Sequence, residues 1–86
     1  MSSPYVLYKY DSCPFCAMVR RFMASRDIEL PMRDILMEPD AREELVAGGG
    51  RQTVPCLRIE REDGRVEWMY ESRDIIAFLD QQLGAA

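Results

Sequence analysis

A largely apolar run, Tyr5-Val6-Leu7-Tyr8-Lys9-Tyr10, gives way within three positions to Cys13-Pro14-Phe15-Cys16 and then to a helical apolar periodicity. Residues 5–10 are apolar on both alternating sets, as a strand buried in the middle of a sheet requires. From Pro14 to about Arg26, Phe15, Met18, Val19, Phe22 and Met23 recur at the spacing of one buried helix face. A strand feeding straight into such a helix makes the first half a crossover unit, so the next strand of the sheet should lie parallel to the first. This pairing of elements limits the chain's possible folds more than any other feature of its sequence.

The remaining elements follow from local chemistry. Leu30 to Ile35 reads as a second strand, with Pro31 marking a sheet edge or a strand start. Glu38-Pro39-Asp40 places a proline and acids at a helix start, and that helix should run to about Ala47. Gly48-Gly49-Gly50 is expected to stop it and supply a flexible connection. Pro55–Glu60 and Val66–Tyr70 read as antiparallel strands around Glu62-Asp63-Gly64-Arg65, since Asp63-Gly64 suits a tight hairpin turn. Ser72 is expected to cap a last helix with Asp74 in its first turn and Ile75, Ile76, Leu79 and Leu83 facing inward, leaving Gly84-Ala85-Ala86 as a tail. The order is β-α-β-α-β-β-α, an α/β domain with a mixed four-stranded sheet and three helices on its faces.

Eighty-six residues, nearly half of them apolar, make one domain over residues 1–86 with a small core. No stretch approaches the ~20 apolar residues that cross a bilayer. Met1-Ser2-Ser3-Pro4 lacks the charged start and apolar centre of a signal peptide, so a cytoplasmic protein without a membrane partner is the expectation. The net charge is −4, and the 11 basic residues, all arginine except Lys9, are scattered. No basic patch exists to displace phosphate counterions, which argues against nucleic acid.

Three cysteines and no histidine exclude Cys–His and Ser–His catalysis. They also leave a structural zinc site one ligand short of four, unless a carboxylate or a second chain completes it; no metal site is expected. Cys13 should sit at the N-terminus of the first helix, where the macrodipole and unpaired N–H groups favour thiolate over thiol. Pro14 fits the first turn because its missing N–H would have had no partner there. Cys16 follows about one turn later, near enough to close a disulfide with an oxidised Cys13. Cys13 therefore reads as a nucleophile and Cys16 as its resolving thiol. Cys56 reads as a packed strand residue rather than a third redox thiol.

Three separated segments together resemble the glutaredoxins, which have the thioredoxin fold. Cys13-Pro14-Phe15-Cys16 is similar to the family's CPYC motif with Phe in place of Tyr, and Pro14 and Phe15 would support the active site. Thr53-Val54-Pro55 resembles its TVP segment, in which the proline is cis and faces the cysteines. Tyr70-Glu71-Ser72-Arg73-Asp74-Ile75 resembles the Glu-Ser segment of glutaredoxins that look like glutathione transferase N-terminal domains. Two departures stand out: Tyr10 occupies the place of the usual Lys three residues before the nucleophile, with Lys9 one further upstream, and the usual Gly-Gly-x-Asp segment is absent.

The resemblance implies glutathione as co-substrate and no tightly bound cofactor. The Val54 backbone would pair with the cysteinyl residue of glutathione as a strand edge does, with Thr53 and Pro55 beside it. Arg51 and Gln52 would meet the glycine carboxylate. Ser72 would hold the γ-glutamyl carboxylate at a helix N-terminus, with Glu71 taking the ammonium. The implied activity is glutathione-dependent reduction of glutathionylated and disulfide-bonded proteins by a monomer. The alternative is an iron–sulfur cluster carrier in which two chains each supply Cys13 and two glutathiones complete four thiolate ligands. Pro14 and Cys16 argue against that alternative. A glutathione transferase is weaker still, because no helical domain for an acceptor substrate follows.

Overall fold

In the computed structural model, which describes residues 4–83, the elements are β1 (Tyr5–Lys9), α1 (Pro14–Ser25), β2 (Met32–Asp34), α2 (Pro39–Gly49), β3 (Cys56–Glu60), β4 (Val66–Met69) and α3 (Ser72–Gln82). The sheet order is β2-β1-β3-β4. β1 pairs parallel with β2, aligning Leu7 with Met32 and Lys9 with Asp34. It pairs antiparallel with β3, aligning Tyr8 with Cys56, and β3 pairs antiparallel with β4. β1 is thus the inner strand its apolar composition predicts, and β2, with Pro31 just before it, lies at an edge. The Asp63-Gly64 turn closes the β3–β4 hairpin, with Gly64 at φ +90°, a conformation that costs glycine little.

Because side chains alternate across a strand, β1 and β3 build two cores. On one face Leu7, Leu57 and Ile59 meet Val19 and Met23 of α1 and Ile75 and Leu79 of α3. On the other, Tyr8 and Cys56 meet Ala41 and Leu45 of α2, with Trp68 and Tyr70 packed at the margin. α1 and α3 therefore share one side of the sheet and α2 stands on the other. The two helix stripes are narrower than the sequence suggests. Phe15 is 59% exposed and Met18 37%, because the first turn of α1 starts at the rim of the sheet, where β1 ends. Leu83, beyond the last turn of α3, is also exposed.

The glycine triplet departs from expectation. Gly48 and Gly49 belong to α2, and only Gly50, at φ +83°, leaves it through a left-handed cap. Their role is clearance. A Cβ on Gly48 would overlap the Trp68 indole, and one on Gly49 would overlap the Tyr70 hydroxyl. Ser72 also shifts: Glu71 occupies the capping position of α3 and Ser72 is its first helical residue. The expected tail, residues 84–86, lies outside the described residues.

Candidate active site

Cys13 caps α1. Its backbone is extended (φ −81°, ψ 118°), and its sulfur accepts a hydrogen bond from the Cys16 N–H at 3.2 Å. Pro14 at the first helical position leaves that N–H as one of the few donors of the turn aimed at the sulfur. The Cys13 N–H donates to the Tyr10 carbonyl at 3.2 Å and its own carbonyl accepts from Ala17 at 3.0 Å, so the residue is fixed from both sides. Cys13, Cys16 and Cys56 are all free thiols and all buried. Burial pushes the Cys16 thiol up to about 12, aided by its hydrogen bond with Cys13. Burial pushes Cys56 to about 12 as well, against the opposing influence of Tyr70 and Arg51.

The Val54–Pro55 peptide bond is cis, and the Val54 carbonyl oxygen lies 3.9 Å from the Cys13 sulfur. The Val54 N–H donates to no group of the described residues. Pro55 and Val54 form one wall of a cleft of about 300 Å³ whose lining is completed by Phe15, Thr53, Glu71, Ser72 and Arg73. α3 brings its N-terminus to this cleft with no side chain capping it. Glu71 holds φ +73° and ψ 113°, a strained backbone for a residue with a Cβ. Such outliers cost roughly 1–3 kcal/mol and gather where a ligand or catalytic group must be aimed.

Of the residues singled out by sequence, Phe15, Thr53, Val54, Pro55, Glu71 and Ser72 line one cleft beside the Cys13–Cys16 pair. Arg51 and Gln52 are not part of that lining. The Arg51 guanidinium lies over the Tyr70 ring at 4.4 Å from its centroid, and the Gln52 side-chain oxygen accepts from Arg42 at 3.0 Å. Arg73 is the residue that sequence reading passes over. It lines the cleft and makes no ion pair with any described residue. Its signal was its place in the first turn of α3, where a cation has no dipole to offset and so needs another reason to be present. Lys9 is occupied elsewhere: its ammonium is 2.7 Å from Asp11 and 3.6 Å from Asp34, and the Asp11 hydrogen bond raises its pKa. Among the described residues no group of three or more His, Cys, Asp or Glu could hold a metal ion, and no helix is long and apolar enough to cross a membrane.

The glutaredoxin family model matches residues 5–63, from β1 into the β3–β4 turn. A protein of Oryza sativa subsp. japonica named glutaredoxin-C4, chloroplastic, is 36% identical over 62 residues, which make up 69% of this chain and 47% of that protein. The chain thus spans about half the length of that curated relative. Wheat glutaredoxin superposes with a TM-score of 0.66 at 23% identity, covering 96% of this chain and 76% of its own. A glutathione transferase homolog from Drosophila mojavensis, solved with bound glutathione, reaches a TM-score of 0.74 at 23% identity over 93% of this chain and 35% of its own. These two likenesses establish a thioredoxin-like fold. With the family match covering well over half its length, the chain belongs to the glutaredoxin family.

Proposed function

We propose that this chain is a glutathione-dependent thiol–disulfide oxidoreductase. The observation that carries the reading is the Cys13 sulfur. It sits at a helix N-terminus, accepts an N–H bond, and lies within 3.9 Å of Val54, a residue of the charged cleft. In the proposed reaction the Cys13 thiolate attacks the glutathione sulfur of a mixed disulfide. A Cys13–glutathione disulfide forms, and the substrate leaves as a thiolate that takes up a proton. A second glutathione, as thiolate, attacks the glutathione sulfur of that intermediate, releasing glutathione disulfide and the Cys13 thiolate.

With a protein disulfide, Cys13 forms a mixed disulfide with the protein. Cys16 then attacks the Cys13 sulfur, closing the Cys13–Cys16 bond and expelling the reduced protein thiolate. Part of what holds the Cys16 proton is its hydrogen bond and charge interaction with Cys13. Both fade once the Cys13 sulfur is bound in a disulfide, so the resolving thiol becomes easier to ionise at the step that needs it.

Glutathione would lie along the cleft with its cysteinyl backbone on the unpaired Val54 N–H. Its γ-glutamyl carboxylate would meet the open N-terminus of α3 and Arg73, and its ammonium Glu71. Arg51, on the Tyr70 ring, would take the glycine carboxylate. No other cofactor enters these steps, and one chain supplies every group. The reading also requires a reducing, glutathione-supplied compartment such as the cytoplasm.

The test is reduction of a glutathionylated peptide coupled to NADPH and glutathione reductase. Cys13→Ser should abolish turnover, whereas Cys16→Ser should retain it while losing most reduction of a protein disulfide. Equal inactivity of the two variants on the glutathionylated peptide would overturn the division of roles.

A further inference from the structure

We infer that Tyr70 is a positioning residue for glutathione recognition, acting through Arg51 and the segment that carries Val54; the inference rests on the functional reading above. Tyr70 follows β4 directly and touches the loop between α2 and β3 in two ways. Its hydroxyl donates to the Arg51 carbonyl at 3.1 Å, and its ring lies 4.4 Å beneath the Arg51 guanidinium. Both backbone and side chain of one residue are therefore held by one aromatic group. Arg51 makes no ion pair with any described residue, so the ring is what fixes the direction of its charge.

The placement of Tyr70 is itself built in from below. Gly49 leaves the space that the hydroxyl occupies, and any side chain there would displace it. Cys56, fully buried on the neighbouring strand, belongs to the apolar cluster against which Tyr70 packs. Burial, the Cys56 thiol and the Arg51 contacts set the Tyr70 phenol, with burial raising its pKa first. It stays a neutral donor at neutral pH. From Arg51 only Gln52 and Thr53 separate this anchor from Val54, whose carbonyl approaches the Cys13 sulfur. Holding the loop at Arg51 restrains the short segment that leads to Val54, which positions the Val54 N–H before ligand arrives.

The consequence is a specific coupling. A neutral hydrogen bond and an exposed cation–π contact each correspond to a few-fold effect. Tyr70→Phe, which keeps the ring and loses the hydroxyl, should raise the glutathione concentration for half-maximal turnover roughly three- to fivefold. Tyr70→Leu should raise it roughly tenfold, matching Arg51→Ala. The double variant Tyr70→Leu/Arg51→Ala should be worse than Arg51→Ala alone by no more than the roughly three- to fivefold of the lost hydroxyl, well short of a second tenfold loss, because the ring contact is removed by either change. Maximal turnover should fall far less than the half-saturation value rises.

A second readout does not depend on turnover. Trypsin should cut the Arg51–Gln52 bond several times faster in Tyr70→Phe than in the unaltered chain, as judged by mass spectrometry of first products. Multiplicative losses in the double variant, or unchanged half-saturation and unchanged cleavage in Tyr70→Phe, would overturn the inference while leaving the functional reading intact. An unaltered chain showing no glutathione-dependent turnover would overturn the functional reading and, with it, this role for Tyr70.

Discussion

Two helix N-termini face this site and are finished in opposite ways. At the start of α1 the acceptor belongs to the protein: Cys13 is buried, its sulfur accepts the Cys16 N–H, and Cys16 is buried as well. At the start of α3 Asp74 lies in the first turn, but no side-chain acceptor closes the helix end among the described residues. Glu71 is strained, and Arg73 borders the cleft without a carboxylate partner. One end is closed by its own side chain, and the other is open and borders a charged cleft. In the function proposed above, the same backbone device would serve two purposes, with the chain supplying the acceptor at α1 and glutathione supplying it at α3.

The contrast should be largest in thiol reactivity. Brief iodoacetamide treatment near neutral pH, followed by peptide mapping, should label Cys13 at least a hundredfold faster than Cys16 or Cys56. Those two thiols have pKa values pushed up to about 12, so each remains protonated at neutral pH. Their thiolate fraction should grow about tenfold per pH unit below that value. Comparable labelling of all three at pH 7 would erase the distinction between the two helix ends.

A smaller effect should separate the α3 end. Arg73→Ala should raise the glutathione requirement severalfold, up to about tenfold, the span that one exposed charge-assisted contact allows. Its iodoacetamide rate at Cys13 should stay unchanged. A variant that slowed alkylation and left glutathione dependence alone would place Arg73 with the thiol end instead.

The least effect is expected at Lys9. With its ammonium bound to Asp11 and Asp34, Lys9→Met should change the Cys13 alkylation rate by less than about threefold. A larger loss would mean that this cation, despite its carboxylates, is part of the thiol end.

Most of the architecture was legible because it rests on short-range signals. Apolar patterning, helix-start residues such as Glu38-Pro39-Asp40, and the Asp63-Gly64 turn together identified the seven elements in order. What escaped detection depends on contacts across the fold. A run of three glycines reads as a flexible break until Trp68 and Tyr70 are known to press on Gly48 and Gly49. Phe15 and Met18 share the spacing of Val19 and Met23, yet the rim of the sheet ends before it can cover them.

The site divides in the same way. Cys13, Cys16 and the Thr53-Val54-Pro55 segment have distinctive local signatures. Arg73 has only its place as a cation in a first helical turn, and as one arginine among ten scattered along the chain it is singled out by the cleft. Arg51 was noticed by its place in the sequence, but its partner Tyr70 lies 19 residues away, beyond the reach of any local rule.

The short bond from the Cys16 N–H to the Cys13 sulfur also ties the mechanical state of α1 to the chemistry at its tip. A charged acceptor makes the stronger hydrogen bond, so converting that sulfur to a neutral disulfide weakens a contact closing the first turn. Coupling of this kind is reciprocal: in the proposed cycle, a firmer opening turn would favour a charged sulfur, and discharging the sulfur would loosen the turn. In the proposed cycle the entrance of α1 would report redox state, and the amide proton of Cys16 is the atom that would register it.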